Sequence, residues 1–103
     1  GATEVGNLLH IVLNNGVHDS VGGQPTVSQQ ISLTAIAKAC GYSEVADVVT
    51  TEEELRQTVA RLAALPGRRF VEVLVTPGSR SDLGRPKETP IANRDIFVAA
   101  LRA

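Results

Sequence analysis

The side chains best able to do chemistry cluster in one segment, NNGVHDSVGGQPT, which runs from Asn14 to Thr26. Its amide, carboxylate and hydroxyl oxygens suit a hard cation, and its glycines let backbone N–H groups approach an anion closely. No Lys or Arg occurs in the first 37 residues. A diphosphate held here would therefore rely on backbone donors and a bridging divalent ion, for which magnesium is the natural choice. An Asn amide oxygen and a nearby main-chain carbonyl supply two ligands of a near-octahedral shell, and a carboxylate is expected as well. Asp19 is the one nearby candidate. His18 has the side chain suited to proton transfer near neutrality. The same residues also fit a plain turn, since Asn-Gly is a strong hairpin signal, although His-Asp-Ser-Val-Gly-Gly makes a poor returning strand. Spacing alone leaves both readings open.

Other chemistries fail on spacing. The chain has no GxGxxG, and the stretch from Gly78 to Gly84 lacks the Lys-Ser/Thr of a phosphate-binding loop. His10, His18 and Cys40 have no paired zinc-ligand spacing. Ser20 or Cys40 with a histidine would make a nucleophile and base, but no glycine-flanked elbow presents either. A second polar stretch, residues 77–90, continues to Arg94. Residues 78–94 hold four basic side chains (Arg80, Arg85, Lys87, Arg94) against two acidic ones. Arginine suits bidentate contact with a phosphonate; the stretch equally fits a solvated segment packed on a neighbour.

These loops need elements to hold them. Leu8–Leu13 is a short apolar run suited to a buried strand. From Ser32, a capping residue, Leu33, Ile36, Ala37 and Cys40 share a helix face that Gly41 ends. Val45–Val49 fits a short buried strand. Thr51 with Glu54 forms a capping box for a helix whose stripe is Leu55, Val59, Leu62 and Ala63, ended by Pro66-Gly67. Phe70–Val75 is a third strand, apolar on both faces except at Glu72, which is expected to face solvent or another part of a larger protein. Thr89-Pro90 starts a last amphipathic helix from Ile91 onward, on Ile96, Phe97, Ala100 and Leu101. His10 and Cys40 are expected to pack. The order predicts an α/β fold with a parallel sheet of about three strands and crossover helices. Ligands in such sheets bind beyond the carboxyl ends of the strands, where both long loops begin.

Composition narrows the class further. The 103 residues allow one small domain, 43% apolar, with a net charge of −1. That charge removes the electrostatic case for nucleic acid or an anionic membrane surface. No apolar run approaches the roughly 20 residues that span a bilayer, and no signal peptide is visible. One cysteine, Cys40, cannot staple the fold to itself, so a reducing, cytoplasmic setting is expected. The absence of methionine and the opening Gly1-Ala2 suggest a processed start or a piece of something longer.

A strand ending in Asn-Asn before a glycine-containing loop resembles the second half of the thiamine diphosphate motif. The first half of that motif, Gly-Asp-Gly, would lie farther upstream than the 13 residues preceding Asn14. The segment Asn14–Thr26 and the stretch Gly78–Pro90 (GSRSDLGRPKETP) are together similar to phosphonopyruvate decarboxylases of the thiamine diphosphate-dependent superfamily, from about Asn7 to Leu101. The resemblance implies that residues 1–103 are the C-terminal part of a diphosphate-binding domain. It implies thiamine diphosphate and magnesium as cofactors, with Asn14, Asn15, Gly16 and Val17 at the cofactor. Asn15 would ligate magnesium through its side chain and Val17 through its carbonyl, while Asn14 shapes the turn. Gly23 and Gln24 would lie near the substrate, with His18 and Ser20 as catalytic candidates and Arg80 and Arg85 on the phosphonate. The implied reaction converts 3-phosphonopyruvate to phosphonoacetaldehyde and carbon dioxide. The implied partner is a pyrimidine-binding domain from the remainder of a homo-oligomeric enzyme. Sulfopyruvate decarboxylase and a non-catalytic binding or assembly module of the same fold are the alternatives.

Overall fold

A computed structural model describes residues 5–103; the opening Gly1-Ala2 lies outside the described residues. In chain order the elements are β1 (Asn7–Asn14), β2 (Val17–His18), β3 (Gln24–Pro25), α1 (Leu33–Ala39), β4 (Glu44–Val45), α2 (Glu52–Ala63), β5 (Gly67–Leu74) and α3 (Pro90–Arg102). β1, β5 and β4 form the expected parallel sheet, in that order, with Asn7 opposite Gly67 and Asn14 opposite Leu74.

The central strand is the one with apolar residues on both faces, because only a strand flanked on each side by another is covered by helices above and below. Phe70, Val71, Glu72 and Val73 of β5 are all buried. Side chains alternate across the sheet. Val71 and Val73 meet Leu62 of α2, with Ala46, Val49, Leu9, Leu55 and Leu65 around them. On the other face Phe70 joins His10 and Tyr42 in a cluster of rings with centroids 5.3–6.0 Å apart. His10 meets these rings on an exposed surface, its Nδ1 2.8 Å from the Tyr42 hydroxyl, so the expected packing is one-sided. Cys40 does not pack as expected: it is exposed at the C-terminal end of α1, where Gly41 takes the positive φ of +79° that ends the helix.

The strand expected over Val45–Val49 is shorter than its apolar run suggests. Only Glu44 and Val45 lie in the ladder; the chain then leaves it and returns at Val49, which bridges to Val73. Glu72 is also a correction. It is 6% exposed and bonded within the chain, so it does not face solvent. A second buried charge was not anticipated: Arg69 donates to the carbonyls of Leu62 and Leu65, to Leu8 O and to Asn7 Oδ1. Its guanidinium thereby satisfies carbonyls at the end of α2 and ties that end to β1, the favourable place for a cation on a helix dipole.

Helix starts follow the local signals. Ser32 caps α1, Thr89 caps α3 with Pro90 in its first turn, and Thr51 caps α2 in a complete box with Glu54. Backbone N–H groups of Thr50, then Thr51, donate to the Glu54 carboxylate and hold its pKa below the usual 4.5. A lowered folded-state pKa contributes stability above the unfolded value and loses it as pH falls through the folded one. Thr51→Ala is expected to cost about 1 kcal/mol in chemical denaturation at pH 7, and the Glu54 half of the box to fade only below about pH 4.5. An unchanged midpoint in T51A would remove the box from the account.

α3 has no buried residue: Phe97, Leu101 and Ile96 of its apolar stripe are 64%, 71% and 60% exposed. Among the described residues β1 pairs only with β5, leaving its outer edge open. Beside that edge, Ile11 and Leu13 form an apolar groove with Leu55 and Val59 of α2. No helix of the described residues is long and apolar enough to cross a membrane.

Candidate functional site

β1 and β5 are adjacent and parallel, so their carboxyl ends lie side by side, and the two long polar segments leave from the same edge of the sheet. A cleft of about 560 Å³ opens there. Its walls are Asn14–Gly16 after β1, Ser28 and Gln29, and Leu74–Pro77 after β5, with Glu72 among them.

The corner after β1 is built by two successive asparagine turns. Asn14 Oδ1 accepts from the Gly16 N–H at 2.9 Å, and Asn15 Oδ1 accepts from the Val17 N–H at 3.1 Å. This is the side-chain mimicry of a backbone turn for which Asn is suited. Gly16 takes φ +71°, a region costly for other residues, and Gln29 covers it closely enough that an added Cβ would lie 2.6 Å from its amide nitrogen. The Gly16 carbonyl then accepts from the Thr26 N–H at 2.8 Å, folding the loop back on itself.

The remainder of the loop is ordered, though its order was not legible beforehand. Val17–His18 pairs antiparallel with Gln24–Pro25, across a 3-10 turn at Asp19–Val21 and left-handed Gly22 and Gly23. Asn-Gly is thus followed by a short ribbon whose return begins at Gln24, seven residues after the Val17 at which a tight hairpin would start back. β1 takes no part in it.

Asn14 and Asn15 carry the contacts that set the corner's direction. Asn14 donates from Nδ2 to Glu72 Oε1 at 2.7 Å and also accepts from the Ser28 hydroxyl at 2.9 Å. Asn15 donates from Nδ2 to Asp19 Oδ2 at 2.8 Å, and the same carboxylate oxygen accepts from the Gly78 N–H at 3.0 Å. Asp19 therefore joins the first long loop to the start of the second.

The structure brings Asn14, Asn15 and Gly16 together on the cleft, while Val17, next in the chain, is half-buried and is not among the lining residues. His18, Ser20, Gly23 and Gln24 are exposed and do not line it. Arg80 and Arg85 come together elsewhere, around a separate shallow pocket with Ser79, Leu83 and Gly84, and Arg80 pairs with Asp82 at 3.0 Å. Glu72, Ser28 and Gln29 are cleft residues that sequence reasoning missed. The signal for Glu72 was present: a lone carboxylate in an otherwise apolar central strand.

A donor set of two amides with backbone carbonyls fits a hard, oxygen-loving cation and excludes a soft one. Among the described residues no group of three His, Cys, Asp or Glu side chains could hold a metal. The corner thus fits part of a magnesium shell, with further ligands to come from outside it.

No family model matches the chain. Among curated proteins, it is 48% identical over 90 residues to a phosphonopyruvate decarboxylase of Streptomyces viridochromogenes, covering 87% of this chain and 22% of that protein. It is 44% identical over 85 residues to a phosphonopyruvate decarboxylase of Streptomyces hygroscopicus, covering 82% and 21%. A sulfopyruvate decarboxylase of Methanosarcina acetivorans is 32% identical over 74 residues, covering 71% and 19%. The resemblance carried by the two loop segments therefore extends over most of the chain, and the chain spans about a fifth of the length of these relatives.

Proposed function

We propose that the chain is the C-terminal part of the diphosphate-binding domain of a decarboxylase that converts 3-phosphonopyruvate to phosphonoacetaldehyde and carbon dioxide, using thiamine diphosphate and magnesium. The observation that carries this reading is the double asparagine corner opening on a cleft at the carboxyl ends of β1 and β5. The names of two relatives at 44% and 48% identity support the substrate class.

In this reading Asn15 Oδ1 and the Val17 carbonyl hold magnesium, and Asn14 and Gly16 shape the approach of the diphosphate. When bound, thiamine diphosphate supplies the carbanion centre that adds to the keto carbon and then accepts the electron pair left by carbon dioxide. The chain's own part is to anchor the diphosphate end through the cation and the corner. His18 and Ser20 act near the substrate as proton donor and hydrogen-bond partner, beside Gly23 and Gln24, and Arg80 and Arg85 contact the phosphonate. The exposed stripe of α3, the open edge of β1 and the groove beside it are covered by the remainder of the enzyme, including its pyrimidine-binding domain, in a cytoplasmic homo-oligomer.

Turnover of 3-phosphonopyruvate and sulfopyruvate by the complete enzyme tests the assignment. Preference for the phosphonate is expected; preference for the sulfonate would move the chain to the second reading, which the relative from Methanosarcina acetivorans favours. Turnover of neither would leave a non-catalytic module. The chain by itself is expected to be inactive and to bind the cofactor poorly, because neutral oxygens make up its cation site. Calorimetric titration of residues 1–103 with thiamine diphosphate and magnesium checks this, and tight stoichiometric binding would refute it.

A further inference from the structure

Glu72 and Arg69 are the two buried charged side chains among the described residues. Arg69 is surrounded by acceptors, but Glu72 joins no ion pair among the described residues; its partner is an amide. A buried carboxylate without a cation is costly unless its hydrogen bonds repay the lost water. The strand register explains its aim. Val12 lies opposite Glu72 and Asn14 opposite Leu74, so Asn14 is one pleat beyond Glu72 on the same face.

A carboxylate only accepts, so the bond fixes Nδ2 of Asn14 toward Glu72. Oδ1 must then face the Gly16 N–H and the Ser28 hydroxyl, both of which donate to it at 2.9 Å. Reversing the amide would set oxygen against oxygen at Glu72 and N–H against N–H at Gly16. All three bonds hold in one orientation only, and that orientation sets how the chain leaves β1 toward Asn15.

We propose that Glu72 is a positioning residue: its carboxylate locks the Asn14 amide and through it presents Asn15 and Val17 to the cofactor's cation. This rests on the reading of the cleft given above. Asn14 and Glu72 need not touch the cofactor for it to hold.

The experiment is equilibrium binding of thiamine diphosphate with magnesium to the complete enzyme, by calorimetry, for wild type, E72A, E72Q, N14D and the double variant N14D/E72Q. E72A is expected to weaken binding about tenfold, the scale of a hydrogen bond to a charged group. E72Q keeps an acceptor oxygen and should recover most of that loss. N14D sets two carboxylates face to face and should bind at least about tenfold more weakly. Adding E72Q to N14D exchanges donor and acceptor, and should restore binding to within about threefold of wild type. A role in folding alone would not give that rescue, and the exchanged pair decides the matter if E72A fails to fold. Wild-type affinity in E72A, or a double variant no better than N14D, would overturn the proposal.

Hydrogen exchange at the Gly16 amide reads the same anchor without cofactor. It should quicken about tenfold in E72A and stay slow in E72Q. Unchanged protection in E72A would also overturn the proposal. A wild-type enzyme that binds no thiamine diphosphate would instead sink the functional reading and the link from Glu72 to the cofactor, and exchange at Gly16 would still show whether Glu72 holds the corner.

Discussion

Asn15→Ala in the complete enzyme is expected to weaken binding of thiamine diphosphate and magnesium on the order of a hundredfold, since even groups that only support a metal ligand are worth 10- to 100-fold. The alanine removes one of the two cleft amide oxygens held by an asparagine turn, Asn14 supplying the other. It also removes the acceptor for the Val17 N–H and the donor to Asp19, so both of the proposed ligands, the Asn15 side chain and the Val17 carbonyl, are lost or displaced. Magnesium keeps a strict octahedral shell of oxygens and does not readily take a distorted one. Calorimetry with the cofactor, and separately the magnesium concentration needed for half-maximal activity, checks the result. Affinity within about threefold of wild type would show that the cation is held elsewhere, since the loss of a single neutral hydrogen bond already accounts for that much.

The turn at Asn15 was legible in the sequence because its bond from the Val17 N–H spans only two residues. The same holds for Ser32, for Thr51 with Glu54, and for Thr89-Pro90, each a cap written within four residues and each present in the structure. Glu72 and Arg69 were misplaced or unforeseen for the opposite reason. The partner of Glu72 and two of those of Arg69 lie 58 to 62 residues away at Asn14, Leu8 and Asn7, and only the register of β1 against β5 brings these together. A sequence shows that a charge is out of place in an apolar strand, but not which amide or carbonyl will meet it.

The middle cases are instructive about apolar runs. Val45–Val49 has the composition of a strand, yet Asp47 and Val48 turn out to solvent between the Ala46 N–H, which still donates to Phe70 O, and Val49, which bridges to Val73. Burial needs apolar side chains, whereas a ladder needs an available backbone partner, and the two requirements part company at the edge of a three-stranded sheet. α3 shows the same separation on a larger scale. Its stripe specifies a helix with one apolar face, but Phe97 and Leu101 stay exposed among the described residues. In the first loop, Gly22 and Gly23 take left-handed backbone. The ribbon between Val17–His18 and Gln24–Pro25 was not legible in the sequence, because two-residue strands leave no period to detect.

The core prediction follows from how little of this chain is buried. Leu62 and Val71 are the largest fully buried side chains among the described residues, and both lie in the cluster between α2 and the sheet. Leu62→Ala removes the centre of that cluster and is expected to cost about 2–5 kcal/mol, transfer and cavity terms together. The backbone at this position adds to the effect: the Leu62 carbonyl accepts from the buried Arg69 guanidinium, so a shift of the helix to fill the cavity would strain a bond that also serves Leu8 and Asn7. Collapse is thus restrained, which places the cost toward the upper part of that range. Small domains have about 5–15 kcal/mol in total, so L62A should unfold at a much lower urea concentration or be unfolded without urea. Ile96→Ala on the exposed stripe of α3 is the control, expected within about 0.5 kcal/mol of wild type in the isolated chain. A loss below about 1 kcal/mol for L62A would mean that α2 is not seated on the sheet, and with it would go the anchoring of β5 that holds Glu72 beneath the asparagine corner.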